Sequence, residues 1–125
     1  MKFHHIGIAT KDIAKTKVWV EQHFQVKKVS KLLYDPRQNA HLQMIETVDV
    51  NIELVSGNVV EKFINKGVTY YHICYEVDDI EDTIKSFKSS LVISQPTKAI
   101  LFDNRKVAFL MTPIGIIELL ETLKG

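Results

Sequence analysis

The sequence predicts an α+β fold in which two βαβββ modules form a curved mixed sheet with helices outside. Three observations lead there: a histidine-bearing segment recurs, a glutamate-bearing segment recurs, and each repeat has the same succession of strand and helix patterns. His5-Ile6-Gly7-Ile8-Ala9-Thr10-Lys11-Asp12-Ile13 can be laid on His72-Ile73-Cys74-Tyr75-Glu76-Val77-Asp78-Asp79-Ile80. The identities His5/His72, Ile6/Ile73, Asp12/Asp79, Ile13/Ile80 and Thr16/Thr83 share one offset of 67. Ile52-Glu53-Leu54-Val55 resembles Ile117-Glu118-Leu119-Leu120 at an offset of 65, the slippage one loop deletion would leave. The repeats span 1–57 and 68–125 and are expected to make one domain over 1–125. Neither half, at roughly 55–60 residues, buries much surface alone.

The elements follow in order. Phe3–Thr10 reads as a strand. Asp12 then opens a helix to about Phe24, because its carboxylate can accept an orphan backbone N–H, with Ile13, Val18, Val20 and Phe24 as its apolar side. Strands are expected near Val26–Tyr34, Ala40–Thr47 and Asn51–Val55, with turns at Asp35-Pro36 and near Asp49. Ser56-Gly57-Asn58, a short helix around Val59–Asn65 and Lys66-Gly67 form the connector. The second half repeats the order: a strand at Tyr70–Val77, and a helix at Asp79–Lys88 with Ile80, Ile84 and Phe87 at helical spacing. Strands then follow near Ile93–Pro96, Val107–Thr112 and Gly115–Glu121.

The bulk numbers exclude several classes. The chain has 125 residues, 46% hydrophobic and 25% charged, with a net charge of +1. A nucleic-acid partner would need a basic stripe, which this balance does not supply. No apolar run approaches the roughly 18 residues that span a bilayer. The N-terminus Met1-Lys2-Phe3-His4-His5 has no signal-peptide h-region. The one cysteine, Cys74, fits a reducing compartment, so a cytoplasmic location is expected.

Four residues stand out against these patterns. Strand side chains alternate faces, so Glu118 shares one with Ile116 and Leu120 and interrupts an apolar face. Burying an ionised carboxylate is costly unless it is paired or ligates a metal. His5 alternates with Phe3 and Gly7, and Gly7 and Ala9 leave room beside it. His72 alternates with Tyr70 and Cys74. The repeat makes His5 equivalent to His72 and Glu53 equivalent to Glu118. Two imidazoles and two carboxylates suit a divalent ion such as Zn, Ni, Co, Mn or Fe. Singly, each would read as an ordinary strand residue; the repeat-equivalent quartet points to a metal site.

Other candidates have plainer readings. His4, His23 and His41 read as surface residues, and Trp19 as core or interface. Cys74 shares the His72 face and could line a cavity, although a small buried hydrophobe is the simpler account. Glu46 is an alternative base, but a strand-end surface carboxylate is simpler. Asp103-Asn104-Arg105-Lys106 reads as a turn whose two cations, Arg105 and Lys106, could hold an anionic substrate group.

His4-His5-Ile6-Gly7-Ile8-Ala9, Tyr71-His72-Ile73-Cys74-Tyr75-Glu76-Val77-Asp78-Asp79-Ile80, and Lys106–Leu110 through Gly115–Leu119 resemble the vicinal oxygen chelate superfamily. This is the glyoxalase, bleomycin-resistance and dioxygenase group, and the resemblance covers nearly the whole chain. Its nearest flavour is the methylmalonyl-CoA epimerase and lactoylglutathione lyase branch. The resemblance implies a glyoxalase-like cavity around a divalent metal held by His5, Glu53, His72 and Glu118. It also implies a homodimer and a small-molecule substrate, either an acyl thioester or a glutathione adduct. In that reading Glu118 or Glu53 is the catalytic base, moving a proton next to a carbonyl or thioester through an enolate. Arg105, Lys106 and Cys74 are then the substrate-binding candidates. One departure concerns the third strand of the first module, where some epimerases carry a further glutamate. Ala40–Ile45 has no carboxylate until Glu46, and the loop insertions of many glutathione-using lyases are missing. Two other readings are a non-catalytic antibiotic-binding protein, which would not need the quartet, and an iron dioxygenase using His5, His72 and Glu118. In the dioxygenase Glu53 would occupy a position that O₂ or substrate needs.

Overall fold

Strand β1 (Lys2–Ala9) leads through a bend into helix α1 (Ile13–His23). Asp12 caps the helix as expected: its Oδ1 accepts the Lys15 N–H at 3.1 Å. Ile13 and Val20 are buried; seven residues apart, they lie only about 20° from each other around the helix. Val18 was expected on the same side but is about 140° away from Ile13 and exposed. Trp19 is also exposed and stacks on His23, with ring centroids 4.3 Å apart.

The computed structural model describes residues 1–123 and separates into two compact units, His5–Tyr71 and Met1–His4 with the chain from His72 onward. In the His5–Tyr71 unit the expected strand over 26–34 is broken into β2 (Val26–Val29) and β3 (Leu33–Asp35). Both pair antiparallel with β4 (Ala40–Thr47), but the register slips by one residue between Val29↔Ile45 and Leu33↔Leu42. Ser30 sits at the slip and ties itself to β4: its Oγ accepts the Met44 N–H and its own N–H donates to the Met44 carbonyl, both at 2.9 Å. The turn expected at Asp35-Pro36 is held by Asp35, which accepts from the Arg37 N–H and from Gln38 Nε2.

Strand β4 runs antiparallel to β5 (Asn51–Gly57), and β5 runs parallel to β1. The order in this unit is β2-β4-β5-β1, with β3 on β4. Parallel and antiparallel pairing are mixed, as expected. Gly57 is required where it stands: its φ is +121°, and a Cβ there would lie 2.5 Å from the Asn39 carbonyl oxygen. A 3₁₀ turn at Asn58–Val60 and helix α2 (Glu61–Asn65) form the connector. The core of the unit is Ile13, Val20, Ile45, Ile52 and Leu54.

Strand β6 (Tyr70–Val77) opens the second repeat. Helix α3 (Ile80–Ser86) is capped by Asp79, which accepts the Asp82 N–H at 3.0 Å. The helix ends before the expected Lys88, because Phe87 is already extended and Ser89 has a φ of +54°. Strand β7 (Leu91–Ala99) is longer than expected and carries register shifts against β8 (Arg105–Thr112) between Val92 and Thr97. Those shifts let it run through Pro96, which cannot donate to a ladder. Asp103 and Asn104 form the predicted turn, both at positive φ, and Arg105 already belongs to β8. Strand β9 (Gly115–Glu121) pairs antiparallel with β8 and parallel with β6, giving the order β6-β9-β8-β7. Ile80, Ala108, Leu110, Ile117 and Leu119 form the core beneath α3. The fold is α+β, with the βαβββ order present twice. Among the described residues no helix is long and apolar enough to cross a membrane.

Candidate metal centre

Each unit builds one buried histidine–glutamate pair, by the same rule. On β1, His5 Nε2 lies 3.5 Å from Glu53 Oε1 on β5. On β6, His72 Nε2 lies 3.1 Å from Glu118 Oε1 on β9. The strands of each pair are parallel, and Glu53 is the register partner of Gly7 while Glu118 is that of Cys74. In both units the glutamate thus stands opposite the residue two places after the histidine, on the same sheet face. Gly7 and Cys74 are small and buried, so neither blocks the diagonal between imidazole and carboxylate.

All four side chains are removed from water: none of the four residues is more than 4% exposed. A buried carboxylate without a compensating cation costs several kcal/mol. Each of the four offers an atom of ligand type, an imidazole nitrogen or a carboxylate oxygen. Sequence reasoning missed Phe109, which is the register partner of Glu118 and meets the His72 ring edge-on at 5.4 Å. Its signal was the β8–β9 hairpin, which sets 109 against 118 once the turn at 113–114 is placed.

The other candidates divide by face. Phe109, Val107 and Arg105 share the Glu118 side of the sheet, and Glu76 shares the His72 side of β6. Arg105 Nη1 contacts Glu76 Oε2 at 3.2 Å, and its guanidinium lies 6.0 Å from the Phe102 ring centroid. Lys106 points to the opposite face, where its Nζ meets Glu81 Oε1 of α3 at 3.1 Å. The hydrogen bond from Lys106 holds the Glu81 carboxyl below its ordinary range, and the same bond holds the Lys106 ammonium above its own. Cys74 is fully buried within its strand. Glu46 is the register partner of Asn51, on the Glu53 face, partly exposed near the end of β4. Asp79, Glu81 and Glu121 also cluster, but they organise the start of α3: Glu121 Oε2 accepts the Ile80 N–H and Asp79 caps the helix.

A duplicated βαβββ chain with one buried imidazole–carboxylate pair per module has the make-up of a metal-binding enzyme scaffold. Residues 4–109 match the model of the Glyoxalase/Bleomycin resistance protein/Dioxygenase superfamily, and the chain belongs to that superfamily. No curated protein matches the sequence. Among solved structures, a hypothetical protein from Bacillus halodurans is 27% identical, with a TM-score of 0.74 over 99% of this chain and 96% of that one. Methylmalonyl-CoA epimerase from Mycobacterium tuberculosis is 18% identical, with a TM-score of 0.81 over 98% of this chain and 88% of that one. At that identity the likeness is one of fold.

Proposed function

We propose that His5, Glu53, His72 and Glu118 together hold one divalent metal ion, and that the chain is an isomerase that moves a proton beside a thioester or carbonyl group. The observation that carries this reading is the same buried His–Glu pair, built twice at the same register. The donor set fits. Two carboxylates and two neutral imidazoles sum to −2, which a divalent cation cancels, and mixed nitrogen and oxygen donors suit Zn, Ni, Co, Mn or Fe. When bound, such an ion supplies Lewis-acid polarisation of a substrate oxygen.

The chain's own residues supply the rest. Glu118 or Glu53 takes the proton from one face of the carbon next to the carbonyl as general base, and inversion needs a proton delivered to the opposite face, for which the other glutamate, in its protonated form, is the available general acid. Phe109 gives the His72 imidazole an apolar wall. Arg105 is the better placed of the two cations for an anionic substrate group, because it stands on the Glu118 face while Lys106 stands on the α3 face; each already has one carboxylate partner, Glu76 and Glu81. Methylmalonyl-CoA is the lead substrate, consistent with the superfamily and the fold likeness.

The test is solvent exchange. Metal-loaded protein in D₂O should introduce deuterium at the α-carbon of methylmalonyl-CoA, and chelation should stop it. No exchange, together with turnover of the glutathione hemithioacetal of methylglyoxal, moves the assignment to a lactoylglutathione lyase-type reaction. Neither reaction, with no metal retained, leaves a small-molecule binder.

A further inference from the structure

The two modules fill the space beneath their helices with different side chains: Ile6, Ile8, Phe24, Val26, Val29 and Val50 pack against the first core. In the second repeat, Tyr75, Ile84, Phe87 and Val92 pack against the core under α3. At the offset of 67, the first three correspond to Ile8, Lys17 and Val20. Each is smaller or charged, and Lys17 turns outward to Glu21 at 3.4 Å. A cavity of about 530 Å³ lies between α1 and its sheet. Its floor is Ile6, Ile8, Ile52 and Leu54, on the sheet face opposite His5 and Glu53, and α1 contributes Val20 and Trp19. No charged side chain lines it, and the polar ones are Thr16, Thr69 and Tyr70. The Thr16 hydroxyl is already within 2.7 Å of the Thr10 hydroxyl. Trp19 and Tyr70 are largely exposed.

We infer that this cavity is a second binding site, distinct from the His–Glu pairs, for an uncharged apolar small molecule. Its volume falls in the range of ligand pockets, roughly 300–1,000 Å³, and apolar lining with a few hydroxyls is their usual composition. The sister module identifies the occupant's chemistry, since it fills the corresponding place with an aromatic ring and branched aliphatic groups. A charged ligand would lose its hydration against walls that return nothing. Trp19 lines one side, its ring stacked on His23, and favours a ring or hydrocarbon chain.

Trp19 is the only tryptophan and lines this cavity, so its emission follows binding, and the filling variants locate it. The uncharged fluorophore N-phenyl-1-naphthylamine should bind saturably, one per chain, quench Trp19 by energy transfer and be displaced by n-decanol. Two variants copy the sister module, Val20→Phe and Ile8→Tyr. Either one that folds should weaken the fluorophore tenfold or more while leaving the metal content at its wild-type value. The inference is overturned if the wild type shows no saturable quenching, or if a folded filling variant binds with unchanged affinity. It is equally overturned if sedimentation shows a wild-type dimer that the filling variants dissociate and that excludes the fluorophore, because a second copy would then cover the cavity. Should neither variant fold, Trp19→Ala, at an exposed lining position, takes their place: fluorophore affinity unchanged, read by the fluorophore's own emission, overturns the inference. A loss of metal binding elsewhere would not touch this result.

Discussion

Replacing Glu118 by glutamine should change sign in its effect on stability according to whether metal is present. Glutamine keeps the shape of the side chain but removes the charge. In metal-free protein the wild type carries two buried carboxylates, Glu53 and Glu118, beside imidazoles at 3.5 and 3.1 Å. Neutralising one removes a desolvation cost, so metal-free Glu118→Gln should melt at or above the wild-type temperature. Metal reverses the order. A ligand at 1,000 times its Kd stabilises the folded state by about 4 kcal/mol. For a chain of this length each kcal/mol moves Tm by roughly 3–5 °C, so loading should raise the wild type by roughly 12–20 °C. Losing one of four donors should weaken binding by on the order of 100-fold, or about 2.7 kcal/mol, and remove most of that rise. The assay is calorimetric melting with and without metal, combined with elemental analysis. One ion per chain is expected in the wild type, with Glu53→Gln and Glu118→Gln each binding it about 100-fold more weakly. Two ions per chain, or one ion still held tightly by either variant, would refute a single four-donor site; each pair would then be acting alone.

Other outcomes follow from the same structure. Glu118→Gln or Glu53→Gln, whichever is the base, should lower deuterium exchange into methylmalonyl-CoA by roughly 10²–10⁴-fold, the usual contribution of a positioned base, measured by mass spectrometry at saturating metal. Arg105→Ala should raise KM with kcat unchanged if Arg105 holds the substrate anion, which steady-state kinetics will read. Asp79→Ala should cost about 1 kcal/mol through loss of the α3 cap, lowering Tm by roughly 3–5 °C without changing metal content. Lys106→Met should matter little. The lowered Glu81 pKa makes the pair's contribution present above the ordinary carboxylate range and lost as pH falls through it; the raised Lys106 pKa makes it lost as pH rises past the ordinary ammonium range. The wild-type advantage in melting should therefore be confined to the middle of the pH scale and vanish in about 1 M salt.

What could be read from the sequence was set by local chemistry or by the repeat. Asp12 and Asp79 cap their helices because a carboxylate one residue before a helix needs only its own N-terminus as partner. Glu118 was conspicuous because a charge on an apolar strand face is costly wherever that strand lies. The break at Ser30 was invisible, since it arises from the register of β2 and β3 against β4, whose Gln43 and Met44 meet Ser30 from 13 and 14 residues further on. The same holds for Arg105: its partner Glu76 lies 29 residues away, and only the placement of β6 beside β9 and β8 brings them together. Lys106 shows the limit of reading cations by adjacency. One residue of offset on a strand sends it to the α3 face while Arg105 stays on the Glu118 face.

The two repeats agree where a ligand rung demands it and differ where only volume matters. A histidine and a glutamate can meet across parallel strands only if register and face are both kept, so a one-residue shift in β5 or β9 would turn the carboxylate away from the imidazole. The space beneath a helix is a looser constraint: any combination of side chains that excludes water will hold α1 or α3 against its sheet. This is why Ile84 and Phe87 can correspond to Lys17 and Val20 without loss of the βαβββ order. In the first module Ile52 and Leu54, on the face opposite Glu53, pack with Ile45 in the core and also floor the cavity that opens towards Trp19. Register thus secures each His–Glu pair independently of how the helix on the far face is packed, and that leaves the first module free to carry a cavity there.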